Sequence, residues 1–387
     1  GGVKQVALFL HRVLRETGRY ESDVLSLALS ARDPASIRVA APSTWSRGVR
    51  VQKRTAAEGI PYHHVGAVGA EFEFQRYRPR PTLTQLLASY DLIQVVAGTP
   101  PWAHVAKHAD APIALQVATL TDVERGGQDG KETLLPLRLW RAGMTRIASW
   151  MERAVPSFVD AVFVENTWMH DHFQSIPGNH SVYFAPPGID TSVFHPRDAS
   201  SEPGDYILSV GRLGDSRKNV RLLFEAYARL RKKEERDVPR LVLAGLSGPT
   251  ERDWKYAGAL GIRDDVEMRM NVPRDELARL YRHARLFVLS SNEEGLGLVL
   301  AEAMASGVPV VSTDCGGPST LIDDGTTGFL VPTEDAAALA DRMAHILQHP
   351  DEAAAMGQAG RARVEKEFSE AAAGERFLRV YDDLVSD

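Results

Sequence analysis

Residues 294–311 read EGLGLVLAEAMASGVPVV, and this stretch decides the fold. Gly295 and Gly297 mark a loop, and the apolar and small residues that follow them predict a helix. Gly307 marks a turn after that helix, and the run that begins at Val308 is typical of a strand. A loop, a helix, a turn and a strand in this order form one step of the alternation that builds a parallel α/β sheet.

The composition limits both the fold and the function. The chain has 387 residues, 44% of them hydrophobic and 25% charged, which is enough for two domains that each bury a core. The formal net charge of −6 excludes a general affinity for nucleic acid, so any anion site must be local. The single cysteine, Cys315, excludes an intrachain disulfide and favours a cytoplasmic location. No apolar run reaches the ~18 residues that span a bilayer.

The same alternation of helices and strands extends in both directions from the opening stretch. An amphipathic helix begins the chain, and strand-length apolar runs then recur between helical patterns. The predicted strands are residues 24–29, 92–96, 113–117, 159–164, 206–210, 241–244, 286–289 and 308–312, and the predicted helices of the second half are 220–232, 274–283 and 298–306. The predicted fold class is α/β, with two doubly wound, Rossmann-like domains that face each other across a cleft.

A proline-, serine- and glycine-rich stretch predicts the boundary between the two domains. It reads SVYFAPPGIDTSVFHPRDASSEPG and ends at Gly204. We assign residues 1–188 to an N-terminal domain and 189–204 to a linker. We assign residues 205–365 to a second domain and 366–387 to a helix that crosses back to the first domain.

Two loops of the second half carry residues suited to holding a diphosphate. Arg212 follows a strand and Lys218 precedes the next helix, so both cations can stabilise the charge on a departing nucleoside diphosphate. The glycine loop at 295–298 adds backbone amides at a helix N-terminus. Glu294 and Glu302 flank that loop at a separation of ~12 Å at most, which suits two ends of one ligand.

Three motifs in this order resemble the retaining glycosyltransferases of family four, which have the GT-B fold. They are VGRLGDSRKN, the E-x7-E pair within EGLGLVLAEAMASGVPVV, and CGGPSTLIDDGTTGFLV. The resemblance implies transfer of a hexose-type sugar from a nucleoside-diphosphate sugar, a UDP or GDP sugar, to an acceptor hydroxyl. It implies retention of the anomeric configuration, and it implies neither an essential metal nor another cofactor.

The resemblance also implies that the domain of residues 1–188 binds the acceptor and that of residues 205–365 binds the nucleotide sugar, and it implies roles for individual residues. Arg212 and Lys218 would bind the diphosphate, Glu294 the hydroxyls of the transferred sugar, and Glu302 the ribose hydroxyls. The remaining donor contacts would come from Gly1, Gly2, Gly295, Leu296, Gly297 and Leu298.

Gly1 and Gly2 resemble the family's loop between the first strand and the first helix, so we expect a strand upstream of Gly1. On the acceptor side, Asp122, Glu124 and Arg125 are the candidate residues, because they follow a predicted strand end. The acceptor itself would be a sugar, a small molecule or a lipid-linked molecule.

Other functions remain open at this point. A GT-B-like sugar-nucleotide epimerase or a glycan phosphorylase would share the diphosphate or phosphate site, and a non-catalytic sugar-nucleotide-binding protein would share the donor contacts. The histidine pairs lack a third ligand at a characteristic spacing, so we predict structural or surface roles for them and no metal site. These histidines are His63, His64, His104 and His108.

Residues 134–155 predict a basic amphipathic helix. Its apolar stripe contains Leu137, Trp140, Met144, Ile147 and Met151, and its arginines are Arg138, Arg141, Arg146 and Arg153. We expect the stripe to pack within its own domain. The alternative is peripheral contact with anionic lipid at the inner face of a membrane.

Overall fold

The computed structural model describes residues 2–56, 59–126, 135–177, 180–198, 204–233 and 238–386. The chain divides into two units: Gly1–Pro187 with Gly374–Asp387 form the first, and Gly188–Ala373 form the second. Gly1, one of the expected donor-binding residues, lies outside the described residues.

The first unit combines two sheets with helices. Its described strands are β1 (Val24–Leu27), β2 (Val51–Thr55), β3 (Pro61–Val65), β4 (Ile93–Ala97), β5 (Ile113–Val117), β6 (Ala161–Val164) and β7 (Ser181–Phe184). One sheet has the order β1-β3-β2, in which β1 is parallel and β2 antiparallel to β3. The other sheet is parallel throughout, with the order β4-β5-β6-β7. The helices are α1 (Gly2–Thr17), α2 (Glu73–Tyr77), α3 (Pro81–Leu87), α4 (Thr121–Gly126), α5 (Leu135–Ala154) and α6 (Thr167–Gln174).

The two sheets of the first unit share one apolar core. Leu25 and Leu27 of β1 pack against the cluster that contains Ile93 and Ala97 of β4. Among the described strands, however, β1 and β4 each pair on one side only, so both lie at a sheet edge. A side-chain hydrogen bond joins the segments that lead into these strands, since the hydroxyl of Tyr90 donates to a carboxylate oxygen of Asp23 at 2.8 Å.

The second unit is built on a six-stranded parallel sheet. Its strands are β8 (Tyr206–Arg212), β9 (Arg240–Ser247), β10 (Val266–Met270), β11 (Leu286–Leu289), β12 (Val310–Thr313) and β13 (Phe329–Val331). Its helices are α7 (Val220–Lys233), α8 (Glu251–Ala259), α9 (Arg274–His283), α10 (Leu298–Ala305), α11 (Pro318–Leu321), α12 (Ala336–Gln348) and α13 (Pro350–Arg363). The last helix, α14 (Glu370–Ser386), begins in the second unit and ends in the first.

The strand order of the second unit positions its functional edge. The order β10-β9-β8-β11-β12-β13 grows outward in two directions from the neighbouring strands β8 and β11. Apolar side chains on the two faces of the sheet pack against helices in separate core clusters. In open α/β sheets, ligands bind beyond the carboxyl ends of the strands where the order reverses. In this unit that place lies after Arg212 and after Leu289.

The predicted α/β class is confirmed, although the sequence analysis missed several strands. The missed strands are β2, β3, β7, β10 and β13. Residues 181–184 form β7, so the stretch assigned to the domain boundary begins with a strand of the first unit. The prolines and serines that follow this strand outweighed its own β-forming Val182, Tyr183 and Phe184 in the sequence pattern.

Candidate active site

The loops after β8 and β11 meet at the carboxyl edge of the second unit's sheet. The hydroxyl of Ser290 donates to the backbone carbonyl of Lys218 at 3.0 Å. The backbone amide of Asn292 donates to the carbonyl of Arg217 at 2.7 Å. The side-chain amide nitrogen of Asn219 donates to the side-chain oxygen of Asn292 at 3.0 Å. These bonds hold the two predicted donor loops together at the place where the strand order reverses.

Lys218 and Glu294, two of the predicted catalytic residues, contact each other. Lys218 Nζ lies 2.6 Å from Glu294 Oε1, and the hydroxyl of Ser291 donates to the same oxygen at 2.6 Å. The two side chains are 16% and 10% exposed, so the ion pair is largely removed from water. A charge-assisted bond in such surroundings is strong and fixes both groups in place.

Arg212 is the more exposed of the two predicted cations. Its side chain is 56% exposed and lies 3.7 Å from a carboxylate oxygen of Asp215. It is positioned by the end of β8, which also carries the preceding glycine, Gly211. A long, mobile guanidinium at a strand end can turn towards a phosphate without breaking a short ion pair.

Arg217 is a residue of this loop that the sequence analysis missed. Its guanidinium donates two hydrogen bonds to Asp215, at 3.1 and 2.8 Å, and lies 3.7 Å from the carboxylate of Glu293. The guanidinium lowers the pKa of Asp215, chiefly through these hydrogen bonds. Arg217 therefore joins the loop after β8 to the loop after β11, one residue before Lys218 and one residue before Glu294.

The glycine loop leads directly into α10. Gly297 caps this helix with a φ of 89°, a conformation that residues with a side chain rarely adopt. The amide of Leu300 makes the first intrahelical bond, to the carbonyl of Gly297 at 2.8 Å. The backbone from Gly295 to Leu298 therefore forms the positive end of a helix beside Lys218, which is the setting that favours an anion.

A second close approach fixes the shape of the glycine loop. Glu294 forms a parallel bridge with Gly316, in the motif CGGPSTLI. A side-chain carbon added at Gly317 would lie 2.5 Å from the carbonyl oxygen of Gly295. The glycine pair is therefore required by backbone packing. Cys315 beside it is partly buried, and burial raises the pKa of its thiol to about 12, so it is not poised as a nucleophile.

Glu302 lies in the interior of the unit. The hydroxyl of Tyr281, on α9, donates to Glu302 Oε2 at 2.8 Å, and Glu302 is 7% exposed. Burial raises the pKa of Glu302 to about 7, against the smaller lowering effects of the Tyr281 hydrogen bond and the Arg274 charge. The structure places Glu302 on the same helix that the glycine loop begins, while its hydrogen bond goes to Tyr281. Tyr281 is a second residue that the sequence analysis missed.

Of the remaining expected donor residues, Gly2 is exposed and the side chain of Leu296 is buried. Gly2 is exposed at the start of α1, and an added side-chain carbon there would meet nothing within 4 Å. Leu296 is 2% exposed and packs in the core, so any contact it makes with a ligand comes from its backbone.

The acceptor-side candidates take part in packing within the first unit. Asp122 accepts a hydrogen bond from the hydroxyl of Ser149 at 2.7 Å. Arg125 forms an ion pair with Glu73 and donates to the hydroxyl of Thr145 at 3.1 Å. These contacts attach α4 to its neighbours. The side chain of Glu124 has a different position, since one of its carboxylate oxygens lies near Gly98 at the end of β4.

Two of the four histidines singled out in the sequence, His64 and His104, have hydrogen-bond partners in the first unit. His64 bonds to Ser26 at 3.1 Å and to Asp33 at 2.9 Å, and His104 bonds to the carbonyl of Met151 at 2.8 Å. In the described part of the chain, no group of three or more histidine, cysteine or acidic side chains could hold a metal ion. The described helices likewise include none long and apolar enough to cross a membrane.

Comparisons with known proteins agree with this geometry. The family model described as "Glycosyl transferases group 1" matches residues 191–363, which lie in the second unit. A D-inositol 3-phosphate glycosyltransferase of Frankia alni is 29% identical over all of this chain and 95% of its own length. An MMP alpha-(1->4)-mannosyltransferase of Mycolicibacterium hassiacum is 32% identical, but the match covers 53% of this chain and 49% of that enzyme.

Solved structures show the same fold over nearly the whole chain. A sucrose-phosphate synthase of Thermosynechococcus elongatus superposes with a TM-score of 0.73 at 21% identity, covering 99% of this chain and 92% of that one. Anabaena HepE, solved with UDP and glucose, gives a TM-score of 0.71 at 15% identity, covering 99% and 96%. The chain is a glycosyltransferase with the GT-B fold, as its motifs predicted. Within that class, residues 191–363, which are less than half of the chain, resemble the group 1 glycosyltransferases.

Proposed function

We propose that the chain is a retaining hexosyltransferase that uses a UDP or GDP sugar. The observation that carries the proposal is the buried Lys218–Glu294 pair, with its 2.6 Å contact, at the N-terminus of α10 and at the strand-order reversal. A cation, a carboxylate and helix amides in one place fit the diphosphate and the sugar of one donor. The names and ligands of the relatives support a nucleotide sugar as substrate, since HepE was solved with UDP and glucose.

In this mechanism the donor's phosphates draw Lys218 away from Glu294. Lys218 and Arg212 then bear the negative charge that grows on the departing diphosphate, with the amides of residues 295–298 beside them. Glu294, released from its ion pair, accepts hydrogen bonds from hydroxyls of the transferred sugar, and Glu302 accepts them from the ribose. The bond between the anomeric carbon and the diphosphate oxygen breaks as the acceptor hydroxyl attacks that carbon from the same face, which retains the configuration. The proton of the hydroxyl passes to an oxygen of the departing diphosphate.

We assign acceptor binding to the first unit, with Asp122, Glu124 and Arg125 as its candidate residues. Glu124 of α4, whose carboxylate lies near Gly98 at the end of β4, is the most available of the three, because Asp122 and Arg125 hold α4 in place. Enzymes named for D-inositol 3-phosphate recur among the relatives, so a phosphorylated cyclitol is the first acceptor to try.

The proposal includes a cytoplasmic location with peripheral contact to the inner face of a membrane. A chain with a single cysteine, Cys315, suits a reducing compartment because it forms no intrachain disulfide.

The test combines donor binding with product analysis. A thermal-shift panel of UDP, GDP and ADP sugars identifies the donor, because a ligand that binds the folded state raises the melting temperature. The donor found in this way is then supplied in labelled form with candidate acceptors. A glycoside with the donor's anomeric configuration supports the proposal. An epimerised nucleotide sugar, or a sugar phosphate formed only with inorganic phosphate, contradicts it.

A further inference from the structure

The outward face of α5 carries large apolar side chains that the rest of the first unit leaves uncovered. Leu139 is 66% exposed and Trp150 69%. Trp140, which is 48% exposed, lies to one side of this face, where its ring is 6.0 Å from that of Phe72 between centroids. Exposed tryptophan and leucine side chains grouped in this way mark an interaction surface.

The opposite side of α5 faces the core, so the exposed apolar side chains are confined to one side of the helix. Met151 and Ala148 are buried, and Ile147 packs beside them against Tyr77. The predicted apolar stripe is therefore buried towards its end, while Trp140 at its beginning is not. Leu137 of that stripe lies outside the residues whose side chains the structure describes.

The same face is strongly basic. Leu139, Arg146, Trp150 and Arg153 follow one another at intervals of seven, four and three residues, so these side chains lie along one line of the helix. Arg146 and Arg153 are exposed, and Arg138 and Arg141 of α5 are exposed away from this line. Among the described residues none of these four forms an ion pair.

Three of the acidic groups nearby are engaged elsewhere, whereas both carboxylate oxygens of Glu71, beside Phe72, are buried without a hydrogen-bond partner in the part of the chain that the structure describes. Glu152 is the single acid in α5, and it accepts hydrogen bonds from the backbone amide and hydroxyl of Thr121 at 2.9 and 2.6 Å. On the neighbouring helices, Glu73 pairs with Arg125 and Asp122 accepts a hydrogen bond from Ser149. This face is therefore positively charged, although the whole chain has a net charge of −6.

We propose that this face, the Arg/Trp surface formed by Leu139, Arg146, Trp150 and Arg153 of α5, binds an anionic lipid bilayer. Tryptophan and leucine side chains insert at the level of the lipid headgroups, while arginines bind lipid phosphates with their planar guanidinium groups. A second copy of the chain fits less well, because a twofold contact would place the same unpaired arginines opposite each other. The proposal locates the peripheral contact named above and does not depend on the sugar-transfer chemistry.

Vesicle flotation tests the proposal without any measurement of activity. The wild-type protein is mixed with phosphatidylcholine vesicles, with or without about 30% phosphatidylglycerol, at about 50 mM and about 500 mM salt. We expect flotation with the anionic vesicles at low salt, and loss of most of it at high salt. Failure to float with anionic vesicles at low salt overturns the proposal.

Paired variants identify the surface. Arg146→Gln with Arg153→Gln should weaken binding by at least about tenfold at low salt, because each arginine near a charged membrane contributes about fivefold. Leu139→Ser with Trp150→Ser should weaken binding at both salt concentrations. Leu246→Ser, which changes a leucine that is 63% exposed in the second unit, is the matched control and should bind as the wild type does.

Sedimentation of the same variants separates the lipid from a second protein copy. Monomeric wild-type protein, with variants unchanged in mass and melting temperature, supports the lipid surface. A wild-type dimer that Leu139→Ser with Trp150→Ser converts to a monomer would assign the face to self-association and would overturn the proposal.

Discussion

Lys218 and Glu294 neutralise each other at the carboxyl edge of the second unit's sheet, so the free-energy cost of burying either charge depends on the presence of the other. Removing one partner leaves a largely buried charge without its counter-charge, which costs about 3 kcal/mol in pairs of this kind. Removing both leaves no such charge. Stability and catalysis can therefore be separated at this pair.

Lys218→Ala should lower kcat by about 10²- to 10³-fold, as expected for the loss of one group that stabilises a leaving anion. It should also lower the free energy of unfolding, because Glu294 loses its 2.6 Å partner. Lys218→Met combined with Glu294→Gln should recover most of the stability and none of the activity. Denaturant unfolding and initial-rate kinetics measure the two effects, and an active double variant would contradict the assigned roles.

Glu302 should make stability depend on pH. Burial raises its pKa to about 7, so the folded protein holds this proton more tightly than the unfolded chain does. The ionised form is the unfavourable one in the fold: its cost is absent below the unfolded pKa and grows as the pH rises towards about 7, to roughly 3 kcal/mol. Glu302→Gln should therefore raise the melting temperature more at about pH 8 than at about pH 5.

Glu16→Gln is the control for this pH dependence, because Glu16 is exposed at the end of α1. Its melting temperature should follow that of the wild type at both pH values. Equal gains for Glu302→Gln at the two pH values would show that Glu302 does not titrate in this range.

The sequence predicted which individual residues belong to the candidate site, but not which of them contact each other. Arg212, Lys218, Glu294 and the glycine loop were predicted as site residues, because loops between strand and helix patterns meet at one edge of a parallel sheet. The pairing of Lys218 with Glu294 could not be predicted, since 76 positions separate them. Arg217 was missed for a related reason: in the run DSRKN nothing shows which of the two neighbouring cations, Arg217 or Lys218, pairs with the aspartate of its own loop.

At the scale of elements, the loops after β8 and β11 act as one unit because Arg217 connects them. Arg217→Ala should disturb the position of Lys218 and raise the donor KM, with a smaller effect on kcat. Arg217→Lys should rescue part of this effect, since it keeps the charge without the two-pronged contact to Asp215. Arg221→Ala, which breaks the 2.7 Å pair with Asp253 instead, is the matched control and should leave KM unchanged. Equal KM increases for both alanine variants would remove Arg217 from this role.

The crowded approach of the CGGPSTLI turn to the glycine loop gives a second prediction at this scale. Gly317→Ala places a carbon 2.5 Å from the carbonyl of Gly295, so the loop must move and donor binding should fall by at least about tenfold. Gly258→Ala, in α8, meets nothing within 4 Å and should keep or slightly raise stability. Donor titration and thermal unfolding of both variants test this prediction. Equal donor affinities for the two variants would show that the turn does not shape the donor site.

The elements themselves were predicted with uneven success. Helices α7, α9 and α10 and the central strands β5, β8 and β11 carry strong apolar patterns, and all were found within a few residues. The missed β10 and β13 lie at the two edges of the six-stranded sheet, where one side of the strand lacks a neighbour and the apolar pattern is weaker. In β10, three of the five residues are partly buried, one is buried and one is exposed.

For the whole molecule, the proposal predicts where a donor changes backbone dynamics. A nucleoside diphosphate should slow hydrogen exchange in residues 212–219 and 290–302, which belong to the second unit, and should leave β4 to β7 of the first unit unaffected. Mass spectrometry of peptides from the exchanged protein measures this. Protection that appears only in the first unit would place the donor elsewhere.

The two sheets of the first unit have a consequence for main-chain pairing. Among the described residues, β1 and β4 each have one unpaired edge, they contribute to one core, and Tyr90 and Asp23 connect the segments leading into them. An extended peptide that paired with either edge would add a strand to that sheet through backbone hydrogen bonds.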